Sequence, residues 1–172
     1  LAWDPVPAAA RYALQVSRSR LFVDNLIDVD QRRKVDATVE LRGEGTFLNE
    51  KRVGVSSIDR RDRAIACLTA FDNVAASPFA DRILDHLAGY WAVRSMGGCQ
   101  DAVLVASGRA EVWFEISAKA WDLAPLQIIA EEAGARFFNF DGGHSIHGGN
   151  AVICAPILEK ELRAFVGATP RR

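Results

Sequence analysis

Two carboxylates seven residues apart, Glu115 and Asp122, flank the segment ISAKAW, where the chain changes from an alternating pattern to a helical one. An acid at a helix start has an ordinary use. As an N-cap it accepts backbone N–H bonds for about 1 kcal/mol, and Pro125 is tolerated in a first turn whose N–H groups lack intrahelical partners. It also has a chemical use, because beside a cleft it offers a hard oxygen ligand to a divalent metal. Taken singly, Asp122 reads as a cap and Glu115 as a surface residue on a strand. Together, around one strand-to-helix connection, they point to a site.

His144 and His147, three apart in the loop DGGHSIHGGN, raise the question of zinc. Such a site takes three or four ligands, and neither a Cys nor the third His is near in sequence, so a polar loop is the favoured reading. The DGG and HGG runs are suited to cradling an anion on backbone N–H groups, but no GK[ST] follows and the P-loop pattern fails. Cys67, Cys99 and Cys154 are odd in number and contain no CxxC pair, which implies neither a disulfide framework nor a Cys-rich zinc site. Cys99, beside glycines, is the most reachable thiol. Arg32, Arg33 and Lys34 read as a solvated face and not as a phosphate site.

The elements that must position these residues follow from periodicity. AEVWFEI alternates, with Val112, Phe114 and Ile116 on one face and Glu111, Trp113 and Glu115 on the other, which predicts a strand over 110–116. From Asp122, the residues Leu126, Ile129, Ala130 and Ala133 recur at helical spacing, and Gly134 is placed as the C′ residue. Upstream, RGEGTFLNEKRVGVSS has the turn residues of a hairpin, and AIACLTAF is a short apolar run suited to a strand buried on both faces. FADRILDHLAGYW puts Phe79, Ile83, Leu84, Leu87 and Trp91 on one side of a predicted helix. Gly97 and Gly98 then punctuate the chain before DAVLVASG, which local pattern leaves open between helix and strand, and Gly108 ends it. ARFFNF and AVICA read as strands, and PILEKELRAFV closes as a helix with Pro156 near its start. Residues 16–40 mix charges of both signs with short apolar pairs and receive no assignment. Strands alternating with helices predict an α/β layered domain.

Composition narrows the function. The 172 residues are 49% hydrophobic, enough for a real core in one domain or one large lobe. Twenty-one Lys and Arg against 22 Asp and Glu leave a net charge of −1, with no overall basic field for a nucleic acid, so no nucleic-acid partner is expected. No apolar run approaches the ~20 residues of a membrane span and no signal-peptide order opens the chain, so no membrane partner is expected and the cytoplasm is the default location. The chain starts at Leu1, and LAWDPVPAAARYAL reads like the middle of a domain, so an upstream part is expected.

WDLAPLQIIAEEAGARF resembles the C-terminal signature of the inositol monophosphatase superfamily, in which Trp-Asp opens a helix ending in Glu-Ala-Gly. RGEGTFLNEKRVGVS is similar to the family's G-x-G-A-F-x-N-G hairpin, and RSMGG followed by LVASGRAEVWFE to its glycine turn, helix and strand. The order and spacing fit from Arg42 to Val166. GGCQDAVLVASGR and the IHGG loop lean toward the histidinol-phosphate phosphatase branch. The resemblance implies an αβαβα sugar-phosphatase-type sandwich, present here mainly as its C-terminal α/β lobe over 42–172, with 1–41 as the tail of an upstream lobe. It also implies a Mg²⁺-dependent phosphomonoesterase acting on a small phosphorylated substrate, and homodimers are common in the family. Asp122 would be a metal ligand, Glu115 would contact a substrate hydroxyl or amine, and the Gly97–Gly98 turn would line the pocket. The D-P-I-D-G-T motif, which carries most metal ligands and the water-activating Thr, has no counterpart: in Trp3-Asp4-Pro5-Val6-Pro7, Pro7 stands where the second Asp belongs and Ala8-Ala9 replace Gly-Thr. That segment reads instead as a later family strand carrying Asp-Pro before an aromatic residue. No catalytic residue is assigned, and these residues alone are expected to be inactive. The alternative is an inactive binding or regulatory module on the same fold.

Overall fold

The computed structural model describes residues 43, 45–69 and 71–167, together with two N-terminal strands over 12–16 and 35–39. The basic cluster at Arg32–Lys34 and the Trp3–Ala9 segment lie outside the described residues. Nine described strands form two sheets: β1 (Tyr12–Val16), β2 (Val35–Val39), β3 (Thr46–Leu48), β4 (Lys51–Val53), β5 (Ile65–Thr69), β6 (Ala92–Arg94), β7 (Val112–Glu115), β8 (Arg136–Phe138) and β9 (Ala151–Cys154). The α-helices are α1 (Ile83–Leu87), α2 (Cys99–Ala106), α3 (Ala120–Glu132) and α4 (Glu159–Gly167). The first sheet has the order β1-β2-β3-β4 and is antiparallel throughout. The second has the order β6-β5-β7-β9-β8, with β5 parallel to β6 and β7, and β9 antiparallel to β7 and β8.

Three groups of buried side chains stack these elements into layers. Leu48 of the first sheet packs on Val103 and Ala106 of α2 and on Ile129 of α3. The opposite sides of the same helices, including Val105, Leu123 and Leu126, cover one face of the second sheet through Cys67, Trp113 and Ile153. Ile83 and Leu87 of α1 and Leu162 and Val166 of α4 cover its other face through Leu68, Phe114 and Val152. The described order is therefore sheet, helix pair, sheet, helix pair, in the α/β layered class predicted. Strand β5 is buried on both faces, as its apolar run requires.

The β3–β4 hairpin closes through Asn49 and Glu50, both at positive φ (50° and 67°), as a two-residue turn matched to strand twist demands. The hairpin is tied to α3. The Glu132 carboxylate accepts N–H bonds from Gly43 (2.8 Å) and Gly45 (3.2 Å), and the Thr46 hydroxyl donates to the Ile129 carbonyl at 2.6 Å. The G-E-G-T-F and E-E-A-G motifs, 83 or more residues apart, thus meet as one joint between layers.

Several expectations are corrected. The helix predicted over 79–91 is confined to Ile83–Leu87; Phe79, Ile83 and Leu87 are buried, but Leu84 is 74% and Trp91 66% exposed. The helix ends at Ala88, so Trp91 falls out of phase, and Leu84 is turned about 100° from Ile83. DAVLVASG resolves as helix, within α2. The alternation in β7 separates two buried faces and not a buried face from solvent: Glu111 and Glu115 are 2% and 5% exposed. Pro125 lies in the second turn of α3, where it offers no N–H to the Trp121 carbonyl. Gly134, at φ 90°, ends α3 as expected, with Gly134 N–H bonded to Glu131 O and Ala135 N–H to Ala130 O.

Candidate active site

Strands β5, β6 and β7 run parallel, and the chain leaves β5 for β6 on one side before crossing back to β7 on the other. Such a reversal opens a crevice at the carboxyl ends of the strands. Thr69 ends β5, Glu115 ends β7, and the two are register partners. The segments that follow β6 and β7 lead directly into α2 and α3, so the starts of both helices face the same strand ends.

At the start of α3 the acid is not the N-cap. Lys119 is the N-cap, and Asp122, at the third helical position, reaches back to accept the Lys119 N–H at 3.3 Å. This is the acidic half of a capping box. Asp122 is exposed, and among the described residues no basic side chain forms an ion pair with it. Trp121, next to it, is 58% exposed, because it points away from the α3 face that buries Leu123, Leu126 and Ile129.

Glu115 accepts the Ser117 N–H at 3.3 Å. Burial, and after it the charges of Asp122 and Asp101, push its carboxyl up to about 7, while the Ser117 bond pulls the other way. Asp122 and Asp101 therefore each lie within electrostatic reach of Glu115. The Gly97–Gly98 turn takes φ values of 97° and 52°, and a Cβ at either position would meet no atom within 4 Å. Backbone conformation, and not crowding, calls for glycine there, and the space above the turn is open.

Sequence reasoning passed over Asp101, which lies at the third position of α2 as Asp122 does in α3. It is 0% exposed and accepts the Met96 N–H at 2.9 Å. The signal was available as an acid shortly after the glycine pair, at capping-box spacing. His144 contacts Glu131 and Gln127 on the α3 surface, and the ring meets Phe137 edge-on at 5.6 Å. Among the described residues His147 joins no metal cluster, and the loop is tied by Asn139, which bonds Ser145 and Asn150. One strand of that loop reaches the site, where the Gly149 carbonyl accepts the Ala118 N–H at 2.9 Å. Cys99 is partly buried and Cys67 and Cys154 are buried.

Asp122 has the chemistry of one ligand to a hard divalent cation. Among the described residues, however, no group of three or more His, Cys, Asp or Glu is arranged to hold a metal ion. Several oxygen ligands make up a magnesium site, so the described residues fit one part of it and not the whole. A separate cavity of about 410 Å³, lined by Arg63, Trp91, Arg109 and Glu111, opens at the opposite ends of β5 and β7 and contains none of the predicted site residues.

The profile of the inositol monophosphatase family matches residues 36–169. The chain belongs to that family. It is 36% identical over 128 residues to the Nus factor SuhB of Pasteurella multocida, covering 71% of this chain and 47% of that protein. With the histidinol-phosphatase of Mycobacterium tuberculosis it shares 31% over 132 residues, 74% of this chain and 51% of that one. A Ca-bound inositol monophosphatase family protein from Staphylococcus aureus superposes with a TM-score of 0.66 at 21% identity, over 81% of this chain and 54% of that structure, and shows the shared fold. The chain spans about half the length of these curated family relatives. The family fold thus accounts for both sheets and for the helix pair between them.

Proposed function

We propose that this chain is the C-terminal part of a Mg²⁺-dependent phosphomonoesterase that hydrolyses a small polyol, sugar or amino-alcohol phosphate. The observation that carries the reading is Asp122: an exposed carboxylate without an ion pair among the described residues, within electrostatic reach of a buried, proton-binding Glu115. Residues 42–172 would form its phosphatase lobe and 1–41 the tail of an upstream lobe, with a cytoplasmic location, and with a homodimer as a state common in the family. The further metal ligands would come from outside this set of residues.

Each residue has a stated task. Asp122 would hold a metal through the carboxylate oxygen that does not cap Lys119. Glu115 would orient a substrate hydroxyl or ammonium, and the backbone of the Gly97–Gly98 turn would border the pocket. Mg²⁺ bound in such a site supplies charge neutralisation for the phosphoryl group and an activated water. In support, a relative with 31% identity is a histidinol-phosphatase, and a structural neighbour binds Ca. In the complete protein, Asp122→Asn is expected to leave the unfolding transition within about 1 kcal/mol of wild type, because an amide oxygen still caps. It should lower kcat/KM by about a hundredfold or more, as loss of a metal ligand would. Full activity of the Asn variant over a Mg²⁺ titration would leave the acid as a cap alone.

A second reading, an inactive binding module on the same fold, has one observation in its favour: another relative, with 36% identity, is named a Nus factor. Metal-dependent turnover of a phosphate ester by the complete protein would reject it.

A further inference from the structure

Asp101 has no exposed surface, and no cation pairs with it among the described residues. A charge so placed is costly unless hydrogen-bond donors replace its water. The donors around it include Met96 N–H to Oδ1 at 2.9 Å, and the Thr69 hydroxyl (3.1 Å) and Gly97 N–H (3.4 Å) to Oδ2, with the Cys67 thiol also hydrogen-bonded to the carboxylate. The Thr69 oxygen in turn accepts the Trp113 indole N–H at 2.8 Å. Thr69 is the register partner of Glu115. One buried carboxylate therefore joins the glycine turn to the strand pair that holds Glu115.

We propose that Asp101 is a positioning residue for the substrate pocket, fixing the Met96–Gly98 turn against Thr69 and, through it, against β7. The inference rests on the reading of that turn and Glu115 as pocket lining. Two consecutive glycines at positive φ, with open space where side chains would be, have many accessible conformations and little packing to select one. The carboxylate provides the selection, since it has acceptors for the turn on one oxygen and for turn and strand on the other. An amide at this position keeps one acceptor but turns an NH₂ toward a donor, either Met96 N–H or the Thr69 and Gly97 pair. A side chain needed only to fill space would carry no charge here.

The test uses the complete protein with Asp101→Asn, Thr69→Val and Thr69→Ser, read by residue-resolved amide exchange and by steady-state hydrolysis of histidinol phosphate and inositol 1-phosphate with Mg²⁺. For Asp101→Asn, exchange at Met96 and Gly97 is expected to quicken by about tenfold or more while β7 amides stay unchanged, and KM to rise about tenfold with kcat altered less than about threefold, as loss of a charge-assisted bond predicts. Unchanged exchange at Met96 and Gly97, equal loosening of β7, or a fall in kcat with KM constant would each overturn the proposal. Should Asp101→Asn fail to fold, Thr69→Val must quicken Gly97 exchange and Thr69→Ser must restore it; identical behaviour of the two variants would also overturn it. Absence of hydrolysis in the wild-type protein would sink the phosphatase reading alone, and the exchange rates would still decide the role of Asp101.

Discussion

Burial pushes the Glu115 carboxyl up to about 7, with the charges of Asp122 and Asp101 adding to the effect, and this has a consequence for stability. A carboxyl whose folded pKa is raised binds its proton more tightly in the fold than in the unfolded chain. Stability is then greatest below the ordinary value of 4.5 and declines as pH rises toward 7, by on the order of 3 kcal/mol in total. Glu115→Gln should flatten this decline, so that urea unfolding of metal-free protein at pH 5 and pH 8 differs less in the variant than in wild type. An equal pH slope in both would assign the effect to other groups. If Glu115 contacts substrate as proposed above, the same proton would bear on substrate choice, since near neutral pH the group can donate to a hydroxyl when protonated or pair with an ammonium when ionised.

At the scale of elements, the two helices of the middle layer are built alike. Each begins with an acid at its third position, Asp101 in α2 and Asp122 in α3, and each acid reaches back to the backbone preceding the helix. What separates their uses is burial: Asp101 is sealed beneath the glycine turn, and Asp122 is open to solvent. At its other end α3 depends on Gly134, whose φ of 90° closes the terminal motif that aims the chain into β8. A Cβ there would meet only the Val55 methyl at 3.7 Å, an ordinary contact, so the penalty is conformational. Gly134→Ala is expected to cost on the order of 1 kcal/mol in chemical denaturation. A stabilised variant would show that the backbone relaxes out of the left-handed region at no cost.

For the whole molecule, the layers explain why the glutamate-alanine-glycine motif accompanies the glycine hairpin: Glu132 and Ile129 hold the first sheet on the helix pair that carries Asp101 and Asp122. The second sheet presents Thr69 and Glu115 at the carboxyl ends of β5 and β7, while the cavity beside Arg63 and Arg109 lies at their opposite ends. If Asp122 is a metal ligand as proposed, the described residues provide one metal carboxylate, too few for a magnesium site. Material of this composition should therefore show no appreciable Mg²⁺-dependent hydrolysis of inositol 1-phosphate, histidinol phosphate or fructose 1,6-bisphosphate. Robust turnover abolished by a chelator would refute the claim that the site is incomplete.

Local pattern alone determined the α/β class, the strand at Val112–Glu115, the helix around Leu126 and Ile129, and its stop at Gly134, because side-chain period and backbone chirality act within a few residues. It also drew attention to Glu115 and Asp122 as a pair flanking one connection. Burial was decided elsewhere. Glu115 sits on a strand whose alternation would suit a surface sheet equally well, and only the helix pair packed on that face removes it from water. Leu84, Trp91 and Trp121 are exposed for the converse reason: apolar character favours burial, but a short helix or an unhelpful phase turns them away from the described core. For Asp101 the sequence offered only its spacing from the glycine pair; its burial and its bond to Thr69, which in turn accepts from Trp113, depend on two strands distant in sequence. Register and layer packing bring those three together, since a carboxylate can be held without water only where separate elements deliver donors to it.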